Sequence, residues 1–168
     1  MLDSSNKRAT PFAYGAGHVR PNRAMDPGLV YDLTVDDYLN FLCARGYNQS
    51  LIRLFSDKPY ACPKSFNVAD LNYPSISVPE LRGSTTVSRK VKNVGSAGTY
   101  KARVRSPAGV TVSVNPSTLT FEKSGEEKKF EVTFKSKSNG QPAGYAFGQL
   151  IWSDGLHYVR SCLVVNHK

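Results

Sequence analysis

From Leu71 to Asn166 the chain is a train of short segments in which apolar and polar residues alternate. Tyr100, Ala102, Val104 and Ser106 fall on one side, with Lys101, Arg103 and Arg105 on the other. Val110, Val112 and Val114 alternate with Thr111, Ser113 and Asn115, and Phe130, Val132 and Phe134 with Lys129, Glu131, Thr133 and Lys135. A period of two with one apolar face is the mark of a half-buried strand, because successive side chains point to opposite sides. Turn residues separate the runs at 93–95, 107–109, 115–117, 124–125 and 138–140. Strands are therefore expected at about 73–78, 85–94, 99–106, 110–115, 118–122, 128–136, 145–153 and 157–165, a spacing that predicts an antiparallel β-sandwich. The last two should form a hairpin turning at Ser153-Asp154-Gly155. Arg89 breaks the pattern by sharing a side with Val87 and Val91, so either its stem snorkels or a bulge re-aims it.

The pattern upstream differs. Residues 1–30 are rich in Gly and Pro and lack a periodic apolar face, as expected of an irregular segment pinned to something else. A helix follows, with Thr34 as N-cap, Asp37 completing a capping-box spacing, and Val35, Tyr38, Leu39 and Leu42 on one face. Gly46 is placed to end it. Asn48 is placed to cap a second short helix carrying Leu51, Ile52, Leu54 and Phe55. Pro59, Pro63 and Pro74 mark the passage to the sandwich.

Charge changes this picture only for the sandwich. Of the net +9, residues from Leu71 onward carry 14 Lys and Arg against 6 Asp and Glu, while residues 1–70 are nearly balanced. A solvated basic strand face accounts for this; a sharper reading is polyanion contact through Lys101, Arg103 and Arg105. Nucleic acid fits poorly, since Phe130 and Phe134 lie on the apolar side and are not interleaved with the basic residues as stacking platforms. No apolar run approaches the roughly 20 residues that span a bilayer. The first residues also lack the apolar core of a secretory signal, so the chain as written is expected not to direct its own export.

Cys43 and Cys62 bracket a short segment, a spacing that suits a local disulfide in an oxidising compartment. Cys162 lies in an expected strand, as a small buried hydrophobe would. Asn48-Gln49-Ser50 is an N-glycosylation sequon, relevant only to a secreted chain. Neither the cysteines nor the histidines show zinc-site spacing, and no cofactor is expected.

Acyl transfer requires a nucleophile, a base, a group orienting that base and an oxyanion hole. His18, His157 and His167 lie near no Gly-x-Ser-x-Gly elbow, and Asp36 and Asp37 are where a helix dipole favours them. Gly15-Ala16-Gly17 lacks the flanking strand and Gly-Lys pair of a phosphate loop. No residue is assigned a catalytic role.

Ordered landmarks along the chain resemble the plant subtilase family. Tyr14-Gly15-Ala16-Gly17-His18-Val19, Pro21-Asn22-Arg23-Ala24 and Asp26-Pro27-Gly28-Leu29-Val30-Tyr31-Asp32 are similar to the distal end of its catalytic domain. Asp37-Tyr38-Leu39-Asn40-Phe41-Leu42-Cys43 and Tyr60-Ala61-Cys62-Pro63 resemble the next landmark. Asp70-Leu71-Asn72-Tyr73-Pro74-Ser75-Ile76 resembles the entry to the C-terminal fibronectin type III-like domain, and Val91-Lys92-Asn93-Val94-Gly95 and Trp152-Ser153-Asp154-Gly155 resemble strands within it.

The resemblance implies two parts: residues 1–68, a catalytic-domain remnant with a helical connector, and residues 69–168, a fibronectin type III-like sandwich. It implies a Cys43–Cys62 disulfide, an extracellular setting and a catalytic domain as partner. The family is one of secreted serine endopeptidases, whose serine lies in a Gly-Thr-Ser-Met segment upstream of the matched landmarks. That segment is not in this chain, and neither His18 nor Asp32 matches a triad position. The expected role is support of protease folding and surface. Two alternatives remain: a basic module binding acidic cell-wall polymer or a protein, and a peptidase completed by a separate catalytic segment. Cys162 departs from the family pattern, which has a proline after the Arg-Ser pair, and would leave a thiol able to pair between chains.

Overall fold

The computed structural model describes residues 2–7, 9–137 and 144–167, apart from the side chain of His167. The turn expected at 138–140 lies outside the described residues. Among the described residues there are nine strands: β1 (Leu29–Val30), β2 (Ile76–Val78), β3 (Ser84–Asn93), β4 (Gly98–Arg105), β5 (Val110–Asn115), β6 (Thr118–Phe121), β7 (Glu127–Ser136), β8 (Gly144–Ser153) and β9 (Tyr158–His167). They form two sheets, ordered β1-β3-β7-β5 and β2-β9-β8-β4-β6. All pairings are antiparallel except β2 with β9, which is parallel. The chain is thus mainly β, a two-sheet sandwich with a few short helices before it.

Alternation decides which face is covered. Along β7, Phe130, Val132 and Phe134 are buried while Lys129, Glu131 and Lys135 are exposed. Trp152 of β8 meets Phe130 across the sandwich, ring edge to ring face, with centroids 5.1 Å apart. Tyr100, Phe121, Phe134, Leu150 and Leu163 are among the other largest fully buried side chains. Facing sheets of alternating strands bury such side chains together, and this is the main stabilising term of a sandwich. Among the described residues, Trp152 Nε1 is the buried side-chain polar atom left without a partner.

The upstream segment is more ordered than its pattern suggests. It forms single-turn helices α1 (Pro11–Tyr14) and α2 (Pro21–Ala24), each opened by a proline whose fixed φ suits the first helical position. It then supplies β1, which pairs with Asn93 and Lys92 of β3. An edge strand of the sandwich therefore comes from the lead. Helix α3 (Val35–Ala44) has the expected capping box, with Thr34 N donating to Asp37 Oδ2 at 2.7 Å and Asp37 N to Thr34 Oγ1 at 3.4 Å. Gly46 ends it at φ +90°, where a side chain would be strained. On its expected apolar face only Leu39 is buried, and Val35 and Tyr38 are exposed. In α4 (Gln49–Ile52) and the 3₁₀ turn after it, Ile52 is buried while Leu51, Leu54 and Phe55 are exposed. The Cys43–Cys62 disulfide closes this cap, and Gln49 reinforces it by donating to Tyr60 O and accepting from Cys62 N.

Neither expectation for Arg89 holds. The β3–β7 register runs in step from Ser84↔Lys135 to Lys92↔Glu127 with no bulge, and Arg89 is 4% exposed, so it does not snorkel. Its guanidinium turns inward and donates to four carbonyls: Ala69 at 2.6 Å, Ser88 at 2.7 Å, Tyr73 at 3.2 Å and Ser75 at 3.5 Å. Burial pulls its pKa down, opposed by Tyr31 and Asp70. The same stretch, the connector's continuation into the sandwich over residues 69–75, returns bonds to the outer edge of β3. Asp70 Oδ1 accepts from Ser88 N at 2.7 Å and Asn72 Oδ1 from Lys90 N at 2.8 Å. Two side chains thus stand where a neighbouring strand's carbonyls would.

Replacing Arg89 with Ala would strip buried carbonyls of their donors. Arg89→Ala is expected to lower the urea-derived unfolding free energy by about 3 kcal/mol, the scale for several unsatisfied buried groups. A loss under about 1 kcal/mol would show that water or repacking replaces the guanidinium.

Candidate functional site

The lead segment wraps the sandwich, and the residues that hold it there form the most structured polar site among those described. It starts on the outer face of the five-stranded sheet. There Phe12 packs edge-on against Tyr145 and Phe147, with centroids 5.0 and 5.3 Å away. Cys162 Sγ donates to Gly15 O at 3.1 Å, so this thiol is half-covered by the lead, and burial pushes its pKa up. Further along, the Arg23 guanidinium lies 5.9 Å over the Tyr158 ring.

The lead then rounds the end of the sandwich at the β8–β9 turn. His157 sits between two carboxylates. Its Nδ1 is 2.7 Å from Asp154 Oδ2 and its Nε2 is 3.1 Å from Asp26 Oδ2. Asp154 is fixed by the turn itself, since its Oδ1 accepts from the main-chain N–H of His157 at 2.7 Å and of Leu156 at 2.9 Å. Gly28 lies directly behind this group. A Cβ there would stand 2.8 Å from His157 Cγ and closer still to the Tyr100 hydroxyl, and its φ is +74°. Only glycine lets the lead come this near. Past Gly28, β1 joins β3, Tyr31 Oη meets Ser161 Oγ at 2.7 Å across the core, and Lys92 Nζ reaches Asp32 Oδ2 at 3.0 Å.

The electrostatics follow from this geometry. Both ring nitrogens of His157 face acceptors, so the ring satisfies both only as the doubly protonated imidazolium. Its pKa is raised, first by the Asp154 bond and then by the Asp26 bond. Burial pushes the Asp154 carboxyl up, but the bonds from the His157 ring and from the main-chain N–H groups of His157 and Leu156 outweigh it and hold it down to about 2. Tyr100, buried beside them, is pushed up to about 12 by burial and the Asp154 charge. In a serine triad the histidine gives one nitrogen to a carboxylate and keeps the other for a hydroxyl's proton. Here carboxylates occupy both, and the arrangement is suited to holding two chain segments together.

The sequence-expected positions are dispersed around this clamp. Lys101, Arg103 and Arg105 are exposed along the outward side of β4. Asn48 is exposed at the start of α4, where its Oδ1 accepts from Leu51 N at 3.0 Å. His18 is exposed on the lead and Asp32 is engaged by Lys92. Among the described residues no His, Cys, Asp or Glu side chains converge as a metal site, and no helix is long and apolar enough to cross a membrane. The sequence reading missed the clamp because Asp26 and His157 are 131 residues apart; the local signal was Asp154-Gly-x-His157, an acceptor three residues before a ring.

The sign of the pH dependence follows. A raised His157 pKa means the clamp contributes fully below the unfolded value near 6.5 and is lost as pH rises through the folded value. A depressed Asp154 pKa means its share is present above 3.8 and lost as pH falls toward about 2. A proton NMR titration of the His157 ring is expected to give a midpoint above 6.5, moved down by Asp26→Asn; a midpoint at or below 6.5 would dissolve the clamp.

Comparison with known proteins places this architecture. Residues 70–165 match the family model described as a fibronectin type-III domain. Over 166 residues the chain is 57% identical to the subtilisin-like protease SBT5.4 of Arabidopsis thaliana, covering 98% of this chain and 21% of that protein. It is 52% identical over 168 residues to SBT5.3 of the same plant, covering 98% and 22%. It is 49% identical over 162 residues to the subtilisin-like protease Glyma18g48580 of Glycine max, covering 95% and 20%. The chain spans about a fifth of the length of the curated relatives it matches. It belongs to the fibronectin type-III domain family, in the form carried by plant subtilisin-like proteases.

Proposed function

We propose that this chain is the non-peptidolytic closing part of a subtilisin-like serine endopeptidase, with the work of bracing the protease's catalytic domain. Residues 1–68 are then the end of that domain with its connector, and residues 69–168 the sandwich that holds it. The observation that carries this reading is the two-sided character of the lead. Its inner side is bonded to the sandwich through Phe12, Asp26, Gly28 and Tyr31, while its outer side leaves apolar side chains open, Val19 at 86% and Met25 at 87% exposed. Leu54 and Phe55 of the connector are likewise open. Exposed apolar groups gathered on one segment mark an interaction surface, and the remaining four-fifths of a protease supplies a surface to cover them.

The relatives are subtilisin-like proteases, and the peptidase activity belongs to chain outside this segment. An extracellular setting is supported by the Cys43–Cys62 disulfide, which persists where thiols are oxidised.

Purified, the 168-residue chain is expected to hydrolyse no peptide substrate; turnover blocked by a serine-directed reagent would overturn the reading in favour of a completed peptidase. Bracing has its own readout. Joined to the catalytic part of a plant relative, Val19→Asp with Met25→Asp is expected to lower the thermal midpoint by several degrees, about 1–2 kcal/mol of lost docking. The same pair in the isolated chain should leave its melting unchanged. Equal effects in both settings would remove the docking surface.

A further inference from the structure

The outer face of the five-stranded sheet carries cations in register. Arg103 of β4 stands opposite Ile151 of β8, and Ile151 opposite Arg160 of β9, so two arginines flank one apolar residue on a single row. Lys101 and Arg105 extend the β4 side of this row in both directions. The lead crosses the β9 side of the face and adds His18, Arg20 and Arg23. With Gln149, Tyr158 and Arg160 these enclose an open cleft of about 470 Å³. Among the described residues Asp26 is the one carboxylate lining it, and its Oδ2 is turned to His157 Nε2. Among the described residues no carboxylate pairs with Arg20, Arg103 or Arg160. Arg23 is held over the Tyr158 ring, with its charge directed to the same space.

Like charges drawn together without partners repel, and a ligand of opposite charge relieves that repulsion. We propose that this cleft, with the arginine row beside it, binds a segment of acidic polysaccharide through its sugar carboxylates. The guanidinium fork takes a carboxylate with two parallel hydrogen bonds, and it sheds water more readily than an ammonium. The Gln149 amide and the Tyr158 hydroxyl supply donors and acceptors for neighbouring sugar hydroxyls. An acidic peptide fits less well. Strand addition, the mode that gives a peptide main-chain hydrogen bonds to a sheet, is closed here, because β8 lies inside the sheet with its main chain committed to β4 and β9. The inference is independent of the bracing role, since it uses only groups of this chain and leaves the outward Val19 and Met25 side chains untouched.

The test is retention of the purified chain on an immobilised uronate oligomer at about 0.15 M salt, where screening removes most diffuse attraction. The matched neutral oligosaccharide and polyglutamate of equal charge serve as parallel ligands. Uronate binding is expected, with Arg20→Ala plus Arg160→Ala weakening it by about tenfold or more, as loss of charged hydrogen bonds implies. Lys129→Ala plus Lys135→Ala, on the exposed face of the other sheet, should change it by less than about twofold. Arg160→Lys keeps the charge but loses the fork, and is expected to weaken binding with the fold unaltered. The proposal fails if the uronate is not retained at that salt, or if the two double variants weaken binding equally, which means diffuse attraction. It fails also if polyglutamate binds as tightly as the uronate, which assigns the cleft to an acidic peptide.

Discussion

Strand β3 must satisfy its outer edge without a full neighbouring strand, and the rest of the structure depends on how it does so. Two separate pieces of chain supply the missing partners. The lead gives β1 at Asn93 and Lys92, and Gly28 O accepts from Val94 N at 2.9 Å. The connector gives the Asp70 and Asn72 side chains to Ser88 N and Lys90 N. Arg89 closes the exchange from within, donating to connector carbonyls that have no strand of their own. An unpaired edge is a site for unwanted association, and here it is blunted by the chain's own upstream residues. Asn72 Nδ2 also donates to Asp32 O at 3.1 Å, so lead and connector are bonded to each other as well as to β3.

This arrangement explains how the lead holds its course over the sandwich, with Leu29 buried in the core and Tyr31 packed against it. Many of the lead's contacts are directional: the ring contacts of Phe12, the His157 bridge, a glycine at closest approach, one short strand pair, and the Tyr31–Ser161 and Asp32–Lys92 bonds. Apolar burial, the non-directional term, is concentrated between the sheets. The outer side of the lead is thereby left exposed at Val19 and Met25, and the basic cleft is lined by the lead together with β8 and β9.

Much of the fold was legible because alternation is a local signal. The eight expected strands of the sandwich all appear, with bounds shifted by a residue or two, except β2, which is shortened to Ile76–Val78 after Pro74. The capping box and the glycine stop of α3 were legible for the same reason. The helix faces were less so: Val35, Tyr38, Leu51 and Leu54 have helical spacing but stay exposed, since spacing names a face and not its cover. Arg89 could not be placed from its pattern, because its partners are main-chain carbonyls whose position only the folded connector fixes. The clamp was hidden likewise by its 131-residue separation, with Asp154 and His157 adjacent at a turn and Asp26 brought from the far end. The Cys43–Cys62 bridge, suggested by spacing and by resemblance, is present.

Native-state amide hydrogen exchange at Ser88, Lys90 and Val94 reads the edge of β3 most directly. Protection close to that of the β3 amides bonded to β7 is expected at all three, since each has an intramolecular acceptor and opens only with the sandwich. Exchange at these positions near unfolded rates, with the β7-facing amides still protected, would mean that lead and connector lie loosely beside the sandwich and do not complete it.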